Sequence, residues 1–104
     1  DLLFTNTPYP PARALIDAGA KVALTTDFNP GTCPSHNLAL MTTIACSQMR
    51  MTLAEALVGI TYNAAQALQQ ESSFGTIEAG RPFRPWRVPL STYESLPYHF
   101  GELR

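Results

Sequence analysis

The chain has 104 residues, of which 45% are hydrophobic and 14% charged, and its formal net charge is −1. This length allows one ordinary domain at most, and the near balance of charges gives no electrostatic reason to expect a nucleic-acid partner. The longest apolar stretches fall far short of the roughly 20 residues that a membrane-spanning helix needs, so the sequence predicts neither a nucleic-acid-binding nor a membrane protein.

The first predicted element is a short helix that follows the Pro10-Pro11 pair. Proline has a fixed φ angle that suits the first helical turn, where its missing N–H is not needed. Ala12, Leu15 and Ile16 form an apolar stripe, and Gly19 predicts the end of the helix, because glycine readily adopts the left-handed backbone found there.

Residues 21–26 are predicted to form a strand. They are almost continuously small or apolar, a pattern typical of strands that are buried on both faces in a parallel sheet. A helix, a glycine and a buried strand together indicate an α/β unit. The turn-rich loop that follows the strand lies where such proteins place their sites.

Three further helices are predicted after this loop. Residues 36–49 have apolar positions close to a 3.6-residue period. The next helix begins at Thr52, because Thr52 and Glu55 have the spacing of a capping box. A break is expected around Gly59, and residues 61–68 are predicted to form a third, alanine-rich helix.

The chain changes character after Gln69. Residues 75–80, Gly-Thr-Ile-Glu-Ala-Gly, are predicted to form a short strand between glycines. The following tract, residues 81–97, contains four prolines, and proline removes a donor from a strand ladder. This tract is therefore not expected to form a central strand.

The candidate site lies in the loop after the predicted strand, at Asp27, Asn29, Gly31 and Thr32. A carboxylate at the end of a buried strand is held rigidly, and it can bind a divalent metal or exchange a proton with water. Gly31 allows a ligand to approach the backbone closely, and a helix capped by Thr32 or Ser35 would favour an anion. The alternative is a plain connector in which Asp27 and Asn29 form Asx-turns.

Several stretches of the sequence resemble the imidazolonepropionases of the amidohydrolase superfamily. The most specific is Thr-Asp-Phe-Asn-Pro-Gly-Thr at residues 26–32, whereas Asn-Ala-Ala-Gln-Ala-Leu at 63–68 and Gly-Thr-Ile-Glu-Ala-Gly at 75–80 indicate only the superfamily. The resemblance covers roughly residues 10–81 and 92–104. It implies an α/β fold, in which the chain is the C-terminal fragment of a metal-dependent (β/α)₈ barrel with remnant strands of a small β-sandwich.

The activity that the resemblance implies is hydrolysis of a cyclic amide, 4-imidazolone-5-propanoate, to N-formimidoyl-L-glutamate in histidine degradation. By position, Asp27 would be a metal ligand and the catalytic proton acceptor, while Asn29, Gly31 and Thr32 would contact the substrate. The metal would be zinc or iron. The resemblance also implies a cytoplasmic enzyme whose partner is the small-molecule substrate, and a homodimer for the full-length protein.

The sequence departs from this family in two ways. The His-x-His motif that supplies two metal ligands is absent, and His36 and His99 stand in structural or surface contexts. We therefore expect a C-terminal portion that is not competent alone, with barrel units in residues 1–70 and a sandwich or tail segment in 71–104. Residues 83–87 also replace the usual apolar strand, and we attribute this to a local reading-frame slip.

Two other functions compete with this interpretation. The chain could belong to another metal-dependent amidohydrolase, such as a deaminase, which would differ in its substrate pocket. It could also be a non-catalytic helical fragment that acts by packing an exposed apolar surface on a partner. Cys33 and Cys46 match no metal or redox spacing and are expected to be reduced structural thiols.

Overall fold

The computed structural model describes residues 8–28, 31, 33, 37–82, 92, 93, 96 and 97. These residues form four helices, which we label α1 (Ala12–Asp17), α2 (Leu38–Gln48), α3 (Leu53–Ile60) and α4 (Tyr62–Ala67). Within the described ranges no residue belongs to a β-strand, and no helix is long and apolar enough to cross a membrane.

Helix α1 begins and ends as the sequence predicts. It follows Pro11 directly, and its last turn closes with a hydrogen bond from the Ala20 N–H to the Leu15 carbonyl at 2.9 Å and another from the Gly19 N–H to the Ile16 carbonyl at 2.9 Å. These two bonds define a Schellman motif, in which the residue after the cap is left-handed. Gly19 has the required φ of 93°, so the predicted stop is confirmed.

Helix α2 confirms the predicted element but not its predicted cap. The side chain of Asn37 accepts a hydrogen bond from the Leu40 N–H at 3.1 Å and so caps the helix. Asn37, rather than Thr32 or Ser35 as the sequence suggests, caps this helix, because the helix begins at Leu38. Thr32 and Ser35 themselves lie outside the described residues.

The capping box at the start of α3 is confirmed in both directions. The Thr52 hydroxyl accepts from the Glu55 N–H at 3.2 Å, and the Glu55 carboxylate accepts from the Thr52 N–H at 2.8 Å. The break expected around Gly59 is confirmed, although α3 continues through this buried glycine to Ile60. The break lies at Thr61, whose φ of −118° and ψ of −90° separate α3 from α4.

The strand predicted over residues 21–26 is not formed among the described residues. Exposure alternates along it, with Val22, Leu24 and Thr26 half-buried and the residues between them exposed. This alternation is typical of an extended chain with one covered face. The described residues provide a helical layer on one side of this segment, so the expected burial on both faces is not seen among them and stays a prediction.

The strand predicted over residues 75–80 is also not formed. These residues make turns instead, and Arg81 organises them through hydrogen bonds from its guanidinium to the Glu71 carbonyl and the Thr76 hydroxyl, both at 2.8 Å. Gly75 has a φ of 98°, and a Cβ there would lie 3.0 Å from the Tyr62 Cα atom. This left-handed, close-packed glycine bends the chain against α4, which prevents a straight strand.

Near the C-terminus, Leu96 is buried against Ala39 of α2, with Leu57 of α3 packed beside them. The Thr43 hydroxyl donates to the Pro97 carbonyl at 2.7 Å. The division at residue 70 between barrel and tail segments stays a prediction. The divergent residues 83–87, on which the frame-slip hypothesis rests, lie outside the described residues.

The core of the described residues is built from small side chains. Its main cluster has Ala12, Ala45, Met51 and Ala56 fully or almost fully buried, with Ile16, Val22, Leu24, Cys46 and Met49 partly buried around it. The largest side chain that is completely buried belongs to Thr42. Alanines allow helices to approach closely, so α1, α2 and α3 form the platform on which residues 21–28 lie.

Candidate functional site

Asp27 ends the 21–28 segment in an unusual backbone conformation. Its φ is 53°, in the left-handed region where aspartate and asparagine are found more often than other non-glycine residues. Its N–H donates to the Thr25 hydroxyl at 3.4 Å, and its side chain is exposed. The chain therefore turns sharply at Asp27 and presents a carboxylate at the surface of the described residues.

A thiol closes the loop that follows Asp27. The Sγ atom of Cys33 donates to the Thr26 carbonyl at 2.9 Å, and only 9% of Cys33 is exposed. This contact brings the two ends of the loop together and fits the predicted structural role of this cysteine. Cys46 is likewise a free thiol, and burial raises its pKa, which disfavours the reactive thiolate.

Of the other predicted site residues, the structure describes one. Gly31 lies in a turn and is exposed. Asn29 and Thr32 lie outside the described residues, so their predicted contacts with a substrate stay predictions. The structure thus places Asp27 and Gly31 in one exposed loop, with Cys33 at its base.

The segment that leads to Asp27 is held by α3 and α4. The Leu24 N–H donates to the Gly59 carbonyl at 2.9 Å, and the Asn63 side-chain amide donates to the Val22 carbonyl at 3.0 Å. A Cβ at Gly59 would lie 3.1 Å from the Leu24 Cγ atom and 3.2 Å from the Val22 oxygen. The segment can approach α3 this closely because residue 59 has no side chain.

A charged cluster joins α1 to the start of α3. The Arg13 guanidinium donates two hydrogen bonds to the Glu55 carboxylate, at 2.8 and 2.7 Å, and also contacts Asp17 at 3.0 Å. Such a bidentate pair fixes geometry better than a single contact. The hydrogen bonds from Arg13, together with the one from the Thr52 N–H, lower the pKa of Glu55 to about 2, and the Glu55 carboxylate raises the pKa of Arg13.

A hollow of about 240 Å³ lies beside this cluster. It has an apolar lining that also includes Glu55 and Asn63; the other lining residues are Ile16, Ala20, Val22, Met51, Ala54 and Val58. A second hollow, of about 420 Å³, lies between the start of α1 and residues 48–50. Asp27 lines neither of these two hollows.

The described residues do not bring together three or more histidine, cysteine, aspartate or glutamate side chains that could hold a metal ion. A catalytic zinc site normally has three protein ligands. Asp27 has the chemistry of one such ligand, because it is an exposed carboxylate on a backbone held from two helices. The part of the chain that the structure describes therefore fits a metal site as one contributor.

Two residues that matter to this geometry were not identified as functional from the sequence. The sequence predicts no role for Asn63 beyond its place in a superfamily pattern, and it predicts a helix break around Gly59 without a role for that glycine. Asn63 stands in the first turn of α4, close to the helix start that asparagine favours, so local propensity gives no signal of its role. Its partner, the Val22 carbonyl, is 41 residues away in sequence, which local patterns do not reveal.

The profile of the amidohydrolase family matches residues 5–84. Among curated proteins, the chain is 43% identical over 96 residues to an imidazolonepropionase of Parabacteroides distasonis, covering 92% of this chain and 23% of that protein. It is 49% identical over 79 residues to an imidazolonepropionase of Bdellovibrio bacteriovorus, covering 76% of this chain and 19% of that protein.

A third relative, an imidazolonepropionase of Paracidovorax citrulli, is 46% identical over 98 residues, covering 92% of this chain and 23% of that protein. The chain thus spans less than a quarter of the length of these curated relatives.

Proposed function

Since this chain belongs to the amidohydrolase family, we propose that it is the C-terminal portion of an imidazolonepropionase. The observation that carries the proposal is its identity of 43–49% to three proteins of that name. The position of Asp27 supports it, because the carboxylate follows a segment that two helices hold. The parent enzyme would hydrolyse 4-imidazolone-5-propanoate to N-formimidoyl-L-glutamate.

In this proposal the 21–28 segment is the last strand of a (β/α)₈ barrel whose other strands come from the rest of the parent protein. One face of the segment lies on α3. The alternating exposure of its residues suits a strand whose other face would be covered by the rest of the parent protein. Sites of such barrels lie at the carboxyl ends of the strands. Asp27 occupies that end, and Gly31 lies in the loop beyond it.

Asp27 would hold one metal ion, zinc or iron, together with ligands from elsewhere in the parent protein. When bound, such a metal activates water and polarises the carbonyl of a cyclic amide. Asp27 would accept the proton from the attacking water and pass it to the departing ring nitrogen. Asn29, Gly31 and Thr32, which follow Asp27 in the sequence, would contact the anionic propanoate.

The full-length gene product provides the test. We expect it to hydrolyse 4-imidazolone-5-propanoate, to lose activity on chelation of its metal, and to regain it with zinc or iron. Asp27→Asn keeps the size of the side chain but removes the charge and the basic oxygen. We expect this variant to lower kcat about 10²–10⁴-fold, the range for a general acid–base group.

Asp17→Asn is the matched control, because it removes an exposed carboxylate in α1 that pairs with Arg13 and should leave kcat within about twofold. Equal activity of the two variants would exclude Asp27 as the catalytic carboxylate. Activity on an aminated heterocycle, with none on imidazolone propanoate, would favour a deaminase. Failure of the full-length product to hydrolyse either substrate would favour a non-catalytic role.

A further inference from the structure

Two hydrogen bonds that join the 21–28 segment to the helices lie close together. One joins the Leu24 N–H to the Gly59 carbonyl at the end of α3, and the other joins the Asn63 amide to the Val22 carbonyl at the start of α4. The two bonds engage a donor and an acceptor of the same short stretch. Together they fix how far the segment lies along the helices and how it is rotated.

Of the two hydrogen-bonded groups of the segment, the Val22 carbonyl is the more closely packed. Asn63 donates to it at 3.0 Å, and the backbone of Gly59 packs against it so closely that a Cβ would lie 3.2 Å from the oxygen. A half-buried carbonyl without a donor is costly, because it has left water without replacing the hydrogen bond. Removing the Asn63 amide would therefore drive this carbonyl away from α3.

Asp27 lies five residues beyond this point on the same segment. Its left-handed φ of 53° turns the chain at that residue, and the contact from Cys33 to Thr26 closes the loop on the segment itself. That closure ties the loop to the segment. A shift or rotation of the segment at Val22 is therefore transmitted to Asp27.

We propose that Asn63 is a positioning residue for Asp27, acting through its hydrogen bond to the Val22 carbonyl. The inference rests on the proposed function for the identity of Asp27 as a metal ligand and proton acceptor. Asn63 touches neither metal nor substrate in this proposal. It fixes the backbone from which the Asp27 carboxylate is presented, as the partners of metal ligands do when they orient those ligands.

The test replaces the amide donor in the full-length gene product. Asn63→Asp keeps the shape of the side chain but sets an oxygen against the Val22 oxygen, so the hydrogen bond is lost. Asn37→Asp is the matched control, because it makes the same chemical change at a side chain that accepts from the Leu40 N–H. An aspartate caps a helix as well as an asparagine does.

The measurements are the dissociation constant of the bound metal, by competition with a chelator, and kcat. We expect Asn63→Asp to weaken metal binding and to lower kcat, each by about tenfold or more, as loss of a group that orients a ligand does. We expect Asn37→Asp to stay within about twofold of the wild type. Asn63→Asp behaving like Asn37→Asp in both measurements would overturn the inference.

Two further variants distinguish positioning of Asp27 by Asn63 from a general contribution of Asn63 to stability. Thr52→Ala removes a cap of α3 and lowers stability without touching the 21–28 segment, so it should leave the metal dissociation constant unchanged. Asn63→His restores an N–H donor, because its Nδ1 atom lies as many bonds from Cβ as the amide nitrogen does. Asn63 lines the hollow of about 240 Å³, and we expect the rest of the ring to extend into it.

Recovery of metal binding in Asn63→His supports positioning. Loss of metal binding in proportion to stability, with Thr52→Ala equally affected, overturns it. The proposed function fails separately if the wild type binds metal but does not hydrolyse imidazolone propanoate. In that case the metal dissociation constants of the variants still test the role of Asn63. A wild type that retains no metal overturns the inference as well.

Discussion

The junction of α1 with α3 and the 21–28 segment are neighbours, but they are held in different ways. At the junction, Arg13 and Thr52 both bind the Glu55 carboxylate, so the partners are all within this chain. The segment has α3 and α4 on one side, while Lys21, Ala23 and Thr25 are exposed on the other. The scaffold is thus complete locally, whereas the segment that carries Asp27 is covered on one side.

The largest effect is expected where the segment meets α3. Gly59→Val places a branched side chain where even a Cβ would lie 3.1 Å from Leu24 and 3.2 Å from the Val22 oxygen. Overpacking of this kind costs about 1–3 kcal/mol, and we expect the free energy of unfolding of the full-length gene product to fall by that amount in urea titrations. We also expect metal binding to weaken, because the segment is displaced.

Ala54→Val serves as the control for this change, since Ala54 is an exposed residue of the same helix. It should cost only the difference in helix propensity, about 0.6 kcal/mol. If Gly59→Val were no less stable than Ala54→Val, the close contact between the segment and α3 would not exist in solution.

A smaller effect is expected at the junction. Thr52→Ala removes the hydroxyl that accepts from the Glu55 N–H at 3.2 Å, and loss of such a cap costs about 1 kcal/mol. Thr52→Ser retains the acceptor and should restore most of that stability in the same urea titration. Because the junction does not include the 21–28 segment, kcat should stay near the wild-type value in both variants. A fall in kcat with Thr52→Ala would show that the two regions are coupled.

The smallest effect on stability is expected from lowering the pH. Glu55 has a pKa of about 2 in the folded protein against an ordinary value of 4.5, so its charged form favours folding. The stabilisation is therefore complete above about pH 4.5, falls as the pH drops, and is lost near pH 2. Glu55→Gln should flatten this part of the stability profile, measured by thermal unfolding between pH 5 and pH 2.

Because Arg13 and Glu55 are both partly exposed, salt should reduce the difference between the wild type and Glu55→Gln. A salt-independent acid profile that is identical in the two proteins would mean that the junction owes its stability to packing rather than to the ion pair.

The sequence predicted those features whose causes are local. The capping box at Thr52 and the left-handed stop at Gly19 each depend on residues within one or two turns, and both are confirmed. The failures have distant causes. The 75–80 strand is replaced by turns because Gly75 packs on α4, and the 21–26 strand has no ladder because the described residues supply helices rather than strands beside it.

In the candidate site, too, the features with local causes were predictable and those with distant causes were not. The position of Asp27 after an apolar segment was predicted from residues 21–27, and the structure places the carboxylate at the end of that segment. The Asn63 contact was not predicted, because it joins residues far apart in sequence and depends on how α4 lies. The contacts of Asn29 and Thr32 with a substrate stay predictions.

The alanine-rich core has a consequence for how this region unfolds. Alanine has a single methyl group, so a cluster built around Ala12, Ala45 and Ala56 exposes little apolar surface when its helices separate. The heat-capacity change and the denaturant dependence of unfolding both scale with newly exposed surface. Local opening of α1–α3 would therefore have a shallow dependence on temperature and urea, and amide hydrogen exchange would detect it more readily than calorimetry.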